Sequence, residues 1–383
     1  MGIVHIITGL NDGGAEAVLY RLCTAANAHQ HYVVSLMDAG KYGPLLEQAG
    51  VPVMCLGMSR GRLSVSGLWR LWWLLRSEKP DVVQTWMYHA DLVGGIVAHL
   101  AGIRRVFWGI HHTTLEPGKS RGTTIAIARL NAWLSRWIPA GIVCCAERAR
   151  EVHQALGYAA GKLIVIPNGY DLGRFRPDSA ARSRLRAEWG IPDDAPLLGM
   201  VARFDPLKDH ENLLRALGRL KQAGTPFRCV LVGRGLDATN AQLATWLKQY
   251  GLQAEVLLLG QRSDVPAVMC ALDLQVLTSS AEAFPNVLPE AMACGTPCVT
   301  TDVGDAAAIV ADTGWVVPPA NAARLAEAIA ATLVARDDTS VWQARREAVR
   351  TRVAERFSLE KMVAGYSAVW CGGGAWKNKT GLK

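Results

Sequence analysis

Glu282 and Glu290 are separated by seven residues, with the turn residues Pro285 and Asn286 between them and an apolar helical run, Leu288–Ala293, after them. A helix starting near Asn286 leaves Glu282 in the preceding loop, at the mouth of a cleft, and Glu290 in the first turns. Both can then reach one ligand. A carboxylate accepts two hydroxyls at once. The backbone at Phe284, Pro285, Asn286 and Val287 is a helix start, where an anion is favoured. The layout suits a polyol joined to a phosphate. Arg203 and Lys208 stand just beyond the apolar run Leu197–Ala202, at a spacing that can clamp a diphosphate. The turn Gly233-Arg234-Gly235 follows the run Cys229–Gly233 and faces the same side. His111 and His112 follow the run Arg105–Gly109, and ligands of open parallel sheets bind beyond such strand ends. Gly13 and Gly14 let the backbone approach a ligand at the start of a helix, Ala15–Ala28. Taken singly, each feature has a plainer alternative: a solvated loop acid, a surface cation, a loop histidine or a tight turn.

The longer strings shift that balance. SSAEAFPNVLPEAMACGTPCVTTD, residues 279–302, resembles the E-x7-E signature of the retaining GT-B glycosyltransferases of family four. Ala283 replaces the usual glycine and Pro289 a leucine. LIVIPNGYDLGRFRP, residues 163–177, resembles that family's VIPNGVDLERFRP. Arg203 and Lys208 fall in its GRLxPxKG context, and GGAE at residues 13–16 in its N-terminal glycine loop. The resemblance runs from Ile3 to about Trp370. It implies two Rossmann-like domains facing a central cleft, with a nucleoside diphosphate sugar held mainly by the second. Arg203 and Lys208 would hold the diphosphate, Glu282 would orient the sugar and Glu290 the ribose. A histidine closes the corresponding strand in the family, for which His111 is preferred over His112. The region Gln261–Asp264 would lie by the nucleobase.

Strand and helix alternate along the chain as a parallel α/β sheet requires. In the first half, His31–Leu36, Val51–Cys55, Val82–Thr85, Arg105–Gly109 and Gly141–Cys145 read as strands. Helical patterns lie at residues 65–78, 90–101, 120–136 and 146–156. In the second half, Leu197–Ala202, Cys229–Gly233, Val256–Leu259, Leu274–Leu277 and Cys298–Thr301 complete a second sheet. Three helices, Asn321–Ala335, Val341–Arg356 and Ser358–Trp370, end the pattern. The expected domains are residues 1–177 for the acceptor, a linker at 178–196 and residues 197–356 for the donor. A helix at 357–370 returns to the first domain, and a Gly- and Lys-rich tail, 371–383, reads as disordered.

At 383 residues the chain accommodates two cores. Its nine cysteines include no C-x2-C pair, which argues against a zinc site and suits a reducing compartment. The N-terminus lacks the marks of a signal peptide, and no apolar run reaches the roughly 18 residues of a spanning helix. A cytoplasmic protein is expected. Net charge is +8, and residues 1–176 carry 18 basic against 11 acidic side chains, so an anionic partner would meet the first half. The tryptophan-crowded stretch Ser66–Arg76 is expected to pack on its own sheet. The basic amphipathic stretch Lys119–Trp137, with Arg121, Arg129 and Arg136, suits an anionic membrane surface. The expected protein is peripheral on the inner face of the cytoplasmic membrane, with a glycan or lipid-linked acceptor and no nucleic-acid partner. No D-x-D motif occurs, so cations and a helix start are expected to replace a divalent metal, with no cofactor. A glycosyltransferase-like binding protein and a nucleotide-sugar epimerase are the alternatives. A NAD-dependent dehydrogenase would need G-x-G-x-x-G after the first strand, which is absent.

Overall fold

The computed structural model describes residues 1–26, 28–59, 61, 64–113, 115 and 120–372. The expectations placed on Lys119 and on residues 373–383 fall outside them. The chain divides into two units, Met1–Gly169 with Leu359–Lys383, and Tyr170–Ser358.

The first unit is a seven-stranded sheet in the order β3-β2-β1-β4-β5-β6-β7, every pair parallel. Its strands are β1 (Gly2–Ile7), β2 (Gln30–Ser35), β3 (Val53–Cys55), β4 (Val82–Trp86), β5 (Val106–Ile110), β6 (Gly141–Cys144) and β7 (Leu163–Val165). β4 and β5 are buried throughout, because parallel strands are covered on both faces. The helices are α1 (Gly14–Thr24), α2 (Tyr42–Gln48), α3 (Val65–Glu78), α4 (Tyr88–Leu100), α5 (Gly122–Leu134) and α6 (Glu147–Ala155). Right-handed crossovers put helices on opposite faces as strand order reverses at β1 and β4. Accordingly α1 packs on α2, while α4 packs on both α3 and α5. α3 starts where the Ser64 side chain accepts the Gly67 N–H (3.2 Å) and ends at Lys79 in left-handed conformation. Its inward face is Gly67, Leu71, Leu74 and Leu75. The tryptophans expected to pack on the sheet face solvent instead, Trp69 at 61% and Trp73 at 56% exposure. The leucines already supply the core stripe.

The second unit is a six-stranded parallel sheet in the order β10-β9-β8-β11-β12-β13. α7 (Ser179–Glu188) precedes it. The strands are β8 (Leu197–Val201), β9 (Arg228–Val232), β10 (Val256–Gly260), β11 (Leu274–Leu277), β12 (Cys298–Thr301) and β13 (Trp315–Val317). The connecting helices are α8 (His210–Gln222), α9 (Ala241–Gln249), α10 (Val265–Ala271), α11 (Val287–Ala293) and α12 (Ala306–Val310), followed by α13 (Ala322–Asp337) and α14 (Thr339–Arg356). Residues 178–196, expected as a linker, are part of this unit. Asp178 caps α7 through the Ala181 N–H (2.8 Å), and α7 packs on α10. Buried Asp273 accepts from Arg182 (2.7 Å) and Arg186 (2.8 Å), with Arg336 at 3.2 Å. Burial pushes the Asp273 carboxyl up, but Arg182 and Arg186 outweigh it and hold it below the usual carboxylate range. The sixth strand, β13, was missing from the expected sheet. After α14 the chain enters α15 (Leu359–Trp370), which packs on α1 in the first unit. There Trp370 Nε1 donates to Gln84 Oε1 (3.1 Å).

Candidate functional site

In the second sheet the strand order reverses between β8 and β11, the place where open α/β sheets bind ligands. Arg203 and Lys208 lie on the loop after β8, and Ser279–Glu282 on the loop after β11. Hydrogen bonds lace the two loops together. Thr278 Oγ1 donates to the Lys208 and Asp209 carbonyls (2.8 and 3.0 Å), and Ser280 N–H to the Leu207 carbonyl (2.8 Å). Lys208 Nζ donates to Glu282 Oε1, which also accepts from Ser279 Oγ (2.7 Å). Sequence reasoning gave Lys208 the diphosphate and Glu282 the sugar, and the structure brings the two into direct contact. An ammonium has three N–H donors, so the pairing leaves Lys208 capacity for a phosphate oxygen. Arg203 is half exposed and pairs with Asp205 (3.1 Å). Burial pushes the Asp205 carboxyl up, but the Leu207 N–H and Arg203 outweigh it and hold it below its usual range.

Two glycines set the walls. At Gly233 the backbone has φ +149°, and a Cβ would lie 1.9 Å from the Ala202 carbonyl oxygen, beside Arg203. Gly304, φ +54°, admits a Cβ only 2.5 Å from the Glu282 carbonyl oxygen. Both positions require glycine. The Asp305 N–H then holds the Ala283 carbonyl (3.1 Å). Gly304 and Thr278 escaped sequence reasoning, because their roles rest on contacts between distant loops.

The helix start differs in detail from expectation. Hydrogen bonding begins with Leu288 N–H to Pro285 O (3.1 Å) and Glu290 N–H to Asn286 O (3.2 Å). Pro285 has no N–H, so it cannot belong to an anion-binding set of amides. Phe284 is buried against Phe357 (ring centroids 5.7 Å), and of its groups only the backbone remains for a ligand. Asn286 Oδ1 accepts from Tyr170 OH, a partner that sequence reasoning missed. Pro289 sits in the first turn of α11, where a missing N–H breaks no helical bond. Glu290 is half-buried in that turn. Arg262, in the region assigned to the nucleobase, is engaged by Asp264 (2.8 Å) and Glu188 (3.0 Å).

In the first unit His111 follows β5 and stacks on buried Trp86 (5.1 Å, 22°). Among the described residues its buried Nε2 has no hydrogen-bond partner, and burial lowers the ring's pKa to about 4. His112 Nε2 instead meets Ser120 Oγ at 3.1 Å. Of the two, His111 is the one with a buried nitrogen unpartnered among the described residues. Behind it, Asp91 Oδ1 accepts from Thr85 Oγ1 (2.5 Å) and Gly109 N–H (3.3 Å), fixing the end of β5. At Gly13 a Cβ would lie 2.2 Å from Glu16 Oε2. The chain's own carboxylate thus covers the start of α1, and an incoming phosphate at Gly13 and Gly14 must displace it.

His5, Cys23 and His31 place their ligand atoms within 4.8 Å of one another. An indole N–H only donates, so Trp86 Nε1 (3.2 Å) makes His5 Nδ1 an acceptor. The His5 proton then sits on Nε2 and points to His31 Nδ1 (2.9 Å). Both His5 nitrogens are thereby used in a neutral relay, and the cluster does not fit a metal.

Residues 181–347 match the family described as glycosyl transferases group 1, and residues 12–174 match glycosyltransferase family 4. EpsF of Bacillus subtilis (strain 168) is 26% identical over 310 residues, 78% of this chain and 79% of EpsF. The UDP-Gal:alpha-D-GlcNAc-diphosphoundecaprenol alpha-1,3-galactosyltransferase of Escherichia coli is 27% identical over 256 residues, 66% of this chain and 65% of that enzyme. Among solved structures, HepE of Anabaena in complex with UDP-glucose superposes with a TM-score of 0.83 at 23% identity, covering 97% of this chain and 99% of HepE. The fold is GT-B, and the chain belongs to the group 1, family 4 glycosyltransferases.

Proposed function

We propose that the protein is a retaining hexosyltransferase. It moves a sugar from a nucleoside diphosphate sugar, UDP-linked by preference, to a glycan or lipid-linked acceptor of surface polysaccharide or lipopolysaccharide assembly. The observation that carries this reading is the Lys208–Glu282 pair with Arg203 at the strand-order reversal of the second sheet. Cleavage of the sugar–diphosphate bond leaves the electron pair on the diphosphate. Arg203 and Lys208 meet that charge, and such a fixed donor is worth about 10²–10³ in turnover. Glu282, half-buried and held by Lys208 and Ser279, orients the sugar, and Glu290 the ribose. His111, a neutral ring at the end of β5, is the first unit's candidate for contact with the sugar. With cations in that role and no D-x-D motif, transfer proceeds without a divalent metal. In a retaining reaction the acceptor hydroxyl attacks from the face the diphosphate leaves, and its proton passes to a leaving oxygen.

Two named relatives support the donor and acceptor classes: HepE was solved with UDP-glucose, and the Escherichia coli enzyme uses UDP-Gal and a diphosphoundecaprenol acceptor by name. A lipid-linked acceptor calls for contact with an anionic membrane through the basic first half. Among the described residues no helix is long and apolar enough to cross one. Equilibrium binding of UDP, GDP, ADP, TDP and CMP tests the donor class. Tightest binding of UDP, weakened at least tenfold in Lys208→Ala, is expected. Equal affinity for all five in wild type would overturn the reading.

A further inference from the structure

A cavity of about 400 Å³ opens between the C-terminal ends of α3 and α4, a volume typical of small-ligand sites. Arg76, Lys79, Arg104 and Arg105 line it, with Asp81 as the acidic group. Asp81 Oδ2 accepts the Gly2 N–H (2.8 Å), and among the described residues none of the four cations has an ion-pair partner. Two helix C-termini also point here, each contributing about −0.5 of a charge. Four cations outweigh these and Asp81, leaving the pocket positive by about two charges. It lies before β4 and β5, whereas His111 follows β5, so roughly 17 Å of strand separates it from the candidate reaction centre.

The same helix carries an apolar stripe to the pocket's edge. Val65, Trp69, Trp72, Trp73 and Arg76 follow helical spacing on the exposed face of α3, and the Arg76 guanidinium lies over the Trp72 ring (5.8 Å). Two layers along, α5 and the turn after it expose Leu130, Trp133 and Trp137 beside Arg129 and Arg136. Tryptophan settles at the bilayer interface, where its indole keeps a wet edge, and basic side chains there meet anionic headgroups. We infer that the α3–α4 pocket receives the phosphate of an anionic phospholipid headgroup while the α3 tryptophans enter the interface. A polar partner protein would not need four exposed apolar side chains on one helix leading to a phosphate-sized charge. The inference rests on the membrane-contact reading of the first unit but not on the catalytic assignments.

Sedimentation with phosphatidylcholine vesicles, with and without phosphatidylglycerol, tests it at low salt. Two double variants remove equal charge: Arg76→Gln with Arg104→Gln in the pocket, and Arg129→Gln with Arg136→Gln on α5. All four side chains are exposed, and matching thermal melts will show that both variants fold. Wild type should sediment only with phosphatidylglycerol, and the pocket pair should weaken partitioning at least tenfold more than the α5 pair. Equal losses would reduce the pocket to diffuse charge and overturn the inference while leaving membrane contact intact. Failure of wild type to bind phosphatidylglycerol vesicles would overturn the membrane reading itself. Stabilisation of wild type by inorganic phosphate, lost in the pocket pair and without vesicle binding, would make the ligand a free anion and equally overturn the lipid assignment.

Discussion

His111 shows how local surroundings select one of two adjacent, chemically identical residues. The pair sits at a strand end, which sequence alone could recognise, but only packing on Trp86 and the Ser120 contact of its neighbour tell them apart. Burial favours the neutral ring, so the folded pKa of about 4 lies below the unfolded value near 6.5. Protonation therefore costs stability only as pH falls below about 6.5, and the ring stays neutral above about 4. His111 is expected to show no imidazole titration between pH 5 and 8 by NMR, assigned by comparison with His111→Gln. A midpoint near 6.5 would contradict its burial. Similar reasoning separates what the motif declared from what it hid. Glu282, Lys208 and Arg203 were legible as charged residues at strand ends. Tyr170, Thr278 and Gly304 were not, because a tyrosine, a threonine and a glycine carry no signal until folding brings their loops together.

At the scale of elements, the buried parallel strands were the most legible part of the chain. Continuous runs such as VVQTW and VFWGI cannot be satisfied except by a covered sheet. β13 escaped notice because three residues with one exposed valine make no such run. α3 was misjudged for a different reason: eight apolar residues crowd it, and helical spacing alone does not say which stripe the sheet takes. α7 reads as a charged linker, yet two of its arginines, Arg182 and Arg186, are held by one buried aspartate. Asp273→Ala leaves Arg182, Arg186 and Arg336 without their shared anion and should cost about 3–5 kcal/mol at neutral pH. Since the folded carboxyl pKa is depressed, that stability is present above about pH 4 and is lost as pH falls through the folded value. Denaturant unfolding of wild type and variant should therefore converge in acid. A difference below about 1 kcal/mol at pH 7 would mean that the cluster does not hold α7.

For the whole molecule, the six strands of the second sheet repeat the order of the first six of the other, and the second unit holds the charged groups of the proposed nucleotide-sugar site. Its order, with the first three strands reversed beside the fourth, creates one opening, and the laced loops after β8 and β11 fill it with cations and a carboxylate. The first unit adds a histidine at its own strand end and a basic, tryptophan-studded helix layer. The proposed chemistry requires those cations to replace a metal in moving a sugar. The direct measurement is release of nucleoside diphosphate from UDP-glucose, UDP-galactose and their N-acetylamino forms, with excess EDTA, by the full chain and its Lys208→Ala variant. At least one donor should be turned over at a rate that EDTA leaves unchanged and that Lys208→Ala lowers about 10²-fold. Turnover abolished by EDTA, or retained in full by Lys208→Ala, would contradict it.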